Sequence, residues 1–121
     1  MPTIYSNKKT INIHFPDKVF NLYLEKFNVK SIDELNDINT FFIIKSCYND
    51  FKIGSLSLDD FSGIGGYLFS KLKPTSKSSK LGSVLLDVGK LSFYIRISES
   101  KPKFSEIGNF LSNIDEYFKN H

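Results

Sequence analysis

The stretch Gly82–Ser98, GSVLLDVGKLSFYIRIS, decides how the fold is read. Its second half alternates Leu91, Phe93, Ile95 and Ile97 with Ser92, Tyr94 and Arg96, the period of two that lines one face of a sheet. Gly89–Lys90 lies between two apolar runs and has turn chemistry, so the spacing predicts a β-hairpin built from GSVLLDV and LSFYIRIS. A similar hairpin is expected over Thr40–Leu58. There TFFIIKSC is β-branched and aromatic, YND supplies the turn, and FKIGSLSL alternates Phe51, Ile53, Leu56 and Leu58 with a slip at Gly54 that reads as a bulge. Near the start, TINIHF (Thr10–Phe15) puts Ile11, Ile13 and Phe15 on one side of a half-buried strand.

Helical spacing separates these segments. Pro16 suits a first helical position and Asp17 favours the positive end of the helix dipole, with Val19, Phe20, Tyr23, Leu24 and Phe27 forming an apolar stripe that lasts to about Asn28. SIDE (Ser31–Glu34) matches a capping box and implies a short helix or turn. Asp59 or Asp60 is placed to cap a helix carrying Phe61, Ile64, Leu68 and Leu72, which Pro74 ends. The tail repeats Phe104, Ile107, Leu111, Ile114 and Phe118 as an amphipathic helix. The expectation is a single α+β domain over residues 1–121: an antiparallel or mixed sheet of about five strands with three main helices packed on it.

A chain of 121 residues can bury a core unaided, and its 40% hydrophobic and 24% charged residues are ordinary globular values. It has 12 Phe and 13 Ile, but no Ala, Gln or Trp, and Arg96 is the single arginine. AT-rich codons give such a set, which reads first as genomic bias and second as a hint of a mobile bacterial or phage gene. No apolar run reaches signal-peptide or membrane-span length, so a cytoplasmic location is expected, with no membrane partner.

Catalytic chemistry finds little to work with. FSGIGGYLFSK (Phe61–Lys71) brings Gly63, Gly65 and Gly66 before an apolar run, but it fits neither G-x-G-x-x-G nor a phosphate loop. The plainer reading is a helix start kept slim so that another element packs closely. Cys47 alone allows no internal disulfide, and it reads as a small core residue. His14 and His121 lack ligand partners at a metal-binding spacing, and no cofactor is expected. The acidic pairs Asp33–Glu34, Asp59–Asp60 and Asp115–Glu116 sit where caps and solvated helix faces belong. The chain is therefore read as not an enzyme.

Charge says more. The net +3 hides a polarised chain, with residues 31–60 at −4 and residues 61–103 at +6. KLKPTSKSSK carries Lys71, Lys73, Lys77 and Lys80 with no acidic residue, and Lys101 and Lys103 join it if both loops lie at one end of the sheet. One reading is a face that docks an acidic protein surface, with Tyr67 and Phe69 as apolar anchors. The alternative is a small nucleic-acid-binding protein using the lysines on phosphates, although recognition of that kind leans on arginine and exposed aromatics. The third is a solvated Ser/Lys loop with no partner.

In overall character the chain resembles the immunity proteins that bacteria encode beside polymorphic toxins, including those of contact-dependent growth inhibition systems. The likeness lies in a small cytosolic α+β domain, the AT-rich composition, the lack of an active site, and the charged faces around SIDELND and KLKPTSKSSK; it assigns no residue a role. It implies a toxin inhibitor that forms a heterodimer with a cognate toxin, nucleases being common among such toxins. Acidic immunity proteins suit basic nucleases, and the net +3 departs from that pattern. Either the toxin presents an acidic patch to Lys71, Lys73, Lys77 and Lys80, or Asp33, Glu34, Asp37, Asp59 and Asp60 face a basic one.

Overall fold

A computed structural model describes residues 3–6, 9–12, 15–97 and 104–120. In chain order the elements are a hairpin of β1 (Thr3–Ser6) and β2 (Lys9–Asn12), then α1 (Asp17–Lys26), a 3-10 turn (Ile32–Glu34), α2 (Asp37–Lys52), α3 (Leu58–Lys71), the single turn α4 (Pro74–Lys77), α5 (Lys80–Ile97) and α6 (Phe104–Lys119). The helices expected after Pro16, before Pro74 and at the tail form. The α+β fold with a five-stranded sheet does not: among the described residues the one sheet is β1–β2, with Ile4 opposite Ile11. Part of the TINIHF strand survives as β2, residues 13 and 14 lie outside the described residues, and β2 lies beside α5.

Both internal hairpins are helices instead. In α2 the buried residues are Thr40, Ile43, Ile44, Cys47 and Tyr48, spaced three and four apart, so the β-branched run fills a helical stripe. Asn36 and Asn39 start it with a reciprocal cap: Asn39 N–H donates to Asn36 Oδ1 at 2.9 Å, and Asn36 N–H donates to Asn39 Oδ1 at 2.7 Å. That box replaces the one expected at Ser31 and Glu34. Gly54, read as a bulge, takes φ +85° just past α2, where Ser55 N–H donates to Asp50 O at 2.8 Å and Gly54 N–H to Phe51 O at 3.1 Å. This is a helix C-terminal cap that needs the left-handed region.

α5 repeats the lesson. Leu81, Val84, Leu85, Val88, Leu91 and Ser92 are buried at helical spacing, and Gly89–Lys90 lies in mid-helix, not in a turn. The reason for Gly89 is contact: a Cβ built on it would lie 3.5 Å from Gly66 Cα in α3. Beside it, a Cβ on Gly65 would lie 2.7 Å from Val88 Cβ and nearer still to a Val88 methyl. Gly65 and Gly66 of FSGIGGYLFSK thus keep α3 slim for a neighbour, as expected, but from the middle of the helix and not its start.

This α3–α5 seam is the centre of the molecule, with α2 packed on α3 and α6 on α5. Phe20, Ile43, Phe61, Ile64, Leu68, Leu85, Leu91 and Ile114 are almost fully buried around it; each large side chain so buried is worth about 1.5–3 kcal/mol. Aromatic contacts join α6 to α2, with Tyr48 stacked on Phe118 at 5.1 Å. Tyr48 Oη also donates to Asp115 at 2.6 Å, and Lys52 lies 3.3 Å from the same oxygen. Among the described residues no helix is long and apolar enough to cross a membrane.

Candidate functional site

α3 ends at Lys71, and the chain reverses through Leu72 and Lys73 into α4 with Pro74 in its first turn. This segment is not a plain flexible loop, because its serines have fixed partners. Ser79 Oγ accepts from Gly82 N–H at 3.2 Å at the start of α5 and donates to Ser76 O. Ser78 Oγ donates to Thr75 O at 2.9 Å. Ser76 Oγ lies 2.8 and 3.0 Å from the two oxygens of Asp37, tying α4 to the start of α2.

That tie brings the basic and acidic stretches into one groove of about 470 Å³. Asp33, Asn36 and Asp37 form one wall, and Lys71, Lys73 and Ser76 the other. The floor is apolar, from Ile32, Leu35, Leu68 and Leu72, with the buried Thr40 beneath. Asp33 and Lys73 are exposed, and neither side chain forms a hydrogen bond or ion pair with a described residue. Asp37 is the first residue of α2, where the helix dipole favours its charge. Beside this wall α2 exposes Ile38 (71%) and Phe42 (48%), one turn apart on one face, with Phe27 stacked on Phe42 at 6.4 Å. Ile38 follows Asp37 in sequence, but neither Ile38 nor Phe42 lines the groove itself.

The other candidate residues fall elsewhere. Lys71 reaches over the Tyr67 ring at 5.3 Å, and Tyr67 packs against Phe15 at 4.3 Å, so it supports the lysine from a half-buried position. Lys77 covers Phe69 at 5.5 Å, and Lys80 begins α5, exposed. Glu34 accepts the Lys30 backbone N–H at 3.1 Å. Asp59 and Asp60 lie at the opposite end of α3, about 18 Å away at 1.5 Å per residue. Ser57, two residues before the first of the expected caps Asp59 and Asp60, accepts the Asp60 N–H at 3.1 Å. Arg96 lies in α5, not in a strand. His14, Lys101, Lys103 and His121 lie outside the described residues.

Asp60 borders a second cavity of about 340 Å³, shared with Val19, Leu22, Tyr23, Lys26, Asp50 and Leu56. Tyr23 Oη donates to Asp50 at 2.6 Å, and burial, reinforced by that bond, raises the phenol far above its usual range. Burial likewise pushes up the Cys47 thiol, which is fully enclosed and neutral at physiological pH. Among the described residues no group of three or more His, Cys, Asp or Glu could hold a metal ion.

The sequence singled out Asp33, Asp37, Lys71 and Lys73 but not the floor or Ser76. Leu68 and Leu72 were visible as helix positions, and the Pro74 turn with its serines was the available sign of local order. Comparisons with protein-family models, with curated proteins and with solved structures give no match to this chain.

Proposed function

We propose that the chain is a non-catalytic protein-binding domain that docks a partner protein through the groove between the 3-10 turn and α4. The observation that carries this reading is the make-up of the groove: Asp33 and Asp37 line it together with Lys71 and Lys73 over an apolar floor. Apolar residues ringed by charges of both signs match a protein interface, where the rim steers and the apolar part holds. Nucleic-acid phosphates are uniformly negative, so the two aspartates oppose what the two lysines attract. Nucleic acid is therefore the second reading.

The partner we propose is a cognate toxin domain, neutralised in the cytoplasm in the manner of the immunity proteins the chain resembles. A buried, neutral Cys47 thiol agrees with a non-catalytic role. The mixed groove also accommodates the net +3, since the partner need only offer local charges of both signs.

The test is co-expression with the product of the adjacent gene, scoring cell survival and a one-to-one complex in nuclease-treated lysate. Protection by the wild type, lost in Lys71→Glu/Lys73→Glu and in Asp33→Lys, is expected. Absence of protection and of complex overturns the toxin reading. Retention of nucleic acid alone, with affinity falling steeply as salt rises, replaces it by the phosphate-binding alternative.

A further inference from the structure

We infer that the groove and its apolar strip are an isologous dimer surface, covered by a second copy of this chain when no other partner is bound. The inference goes beyond the toxin reading and does not rest on it. Its starting point is the sign pattern of the walls. In a two-fold dimer, if surface i of one copy meets surface j of the other, then j meets i as well. An all-basic or all-acidic face repels its own copy under that operation. Here the two walls differ in sign, Asp33 and Asp37 on one and Lys71 and Lys73 on the other, so a two-fold axis running along the groove places each acidic wall against a basic one, twice.

The apolar strip supplies the second observation. Ile38 is 71% exposed and Phe42 48%, one turn apart on α2, and Ile38 directly follows Asp37 in sequence. Neighbouring exposed apolar side chains rimmed by polar groups mark interaction surfaces on folded proteins. The strip is also held in place, by the Phe27–Phe42 stack and by Ser76 fixing Asp37, so little order has to be gained on docking. The Asp33 and Lys73 side chains have no partner among the described residues, which leaves both charges available to the second copy.

Because the same face is proposed for the toxin, self-association and toxin binding exclude each other. The free chain is then a dimer that a tighter partner splits, and its groove is not left open in the partner's absence. Dimer formation is concentration-dependent by mass action.

Sedimentation of the purified chain over a wide concentration series tests this without any partner. The wild type is expected to pass from monomer to dimer, with the dimer weakened by added salt, since exposed charges are screened within about 3 Å at molar ionic strength. Asp33→Lys and Lys73→Glu, both at exposed unpaired positions, are each expected to raise the dissociation constant about tenfold or more, because each places like charges opposite one another twice. An equimolar mixture of the two variants is expected to recover a dimer, since at positions 33 and 73 one then carries two positive charges and the other two negative ones. Ile38→Ser is expected to weaken the dimer at all salt concentrations. Far-UV circular dichroism identifies any variant that has lost its helices, and Lys71→Glu then stands in for Lys73→Glu.

A wild type that stays monomeric at every concentration overturns the inference and leaves the toxin reading standing. So does a dimer indifferent to both charge reversals, a mixture that fails to recover, or a larger assembly.

Discussion

The seam between α3 and α5 and the groove at the end of α3 make opposite uses of one helix. In the seam, Gly65 and Gly66 remove side chains so that α5 approaches to within atomic contact, and Val88 and Gly89 fill the space. One turn and a half further on, Lys71 and its neighbours project charge into an open groove where Lys73 and Asp33 find no described partner. The difference separates what holds the protein together from what it offers to others. Substitutions in the seam should cost stability, and substitutions in the groove walls should cost binding.

The largest effect is expected at Gly65. Alanine there forces a Cβ against Val88, whose own Cβ would stand 2.7 Å away on another helix, so a backbone has to shift. Gly65→Ala should cost about 1–3 kcal/mol in urea denaturation, the range for overpacked cores, despite a helix-propensity gain. Gly66→Ala sharpens the comparison, because its Cβ would meet Gly89 Cα at an ordinary 3.6 Å. It should be neutral or stabilising by up to about 1 kcal/mol. Val88→Ala placed on Gly65→Ala should recover part of the loss as a non-additive coupling. Additive costs, or equal costs at both glycines, would break the account of the seam.

Next in size is Asn36, which borders the groove but belongs to the fold. Its side chain accepts Asn39 N–H, so Asn36→Ala should cost about 1 kcal/mol. An unchanged urea midpoint would mean that the cap is not formed in solution.

The same contrast explains what sequence made legible. The helices α1, α3 and α6, whose apolar stripes run at helical spacing, are readable in the sequence. α2 and α5 are not. TFFIIKSC and LSFYIRIS contain β-branched and aromatic residues whose local alternation satisfies a strand template, while the stripes Thr40, Ile43, Ile44, Cys47, Tyr48 and Leu81, Val84, Leu85, Val88, Leu91 satisfy a helical one. Tertiary burial decides between them, and it overrides intrinsic β propensity. Gly54 and Gly89 reinforced the wrong choice, since a helix cap and a helix crossing need glycine as much as a bulge and a turn do. The charges of the groove were visible as two blocks, but only the reversal at Pro74 and the Ser76–Asp37 bond make them one site.

A smaller effect is expected from acid. Hydrogen bonds from Tyr48 and then Lys52 hold the Asp115 carboxyl below its ordinary value. A carboxyl lowered on folding adds stability that is present above the unfolded value of about 3.9 and is lost as pH falls through the folded one. The Tm advantage of the wild type over Asp115→Asn should therefore be fullest near neutral pH and shrink below about pH 4. Because the carboxylate is exposed, the advantage is modest and weakens with salt. A gap that widens in acid would have the wrong sign for this clasp.

The smallest effects belong to the groove walls, and their smallness is the point. Lys73→Ala and Asp33→Ala remove exposed charges that make no hydrogen bond or ion pair with a described residue, so each should shift stability by no more than about 0.5 kcal/mol. The shift measures what these residues do for the isolated chain. A charge that contributed to folding would lose stability when truncated; one that serves an external surface would not, and would show its cost when the second surface is supplied. If either alanine variant melts well below the wild type, the wall is part of the scaffold, and the division between seam and groove fails at that residue.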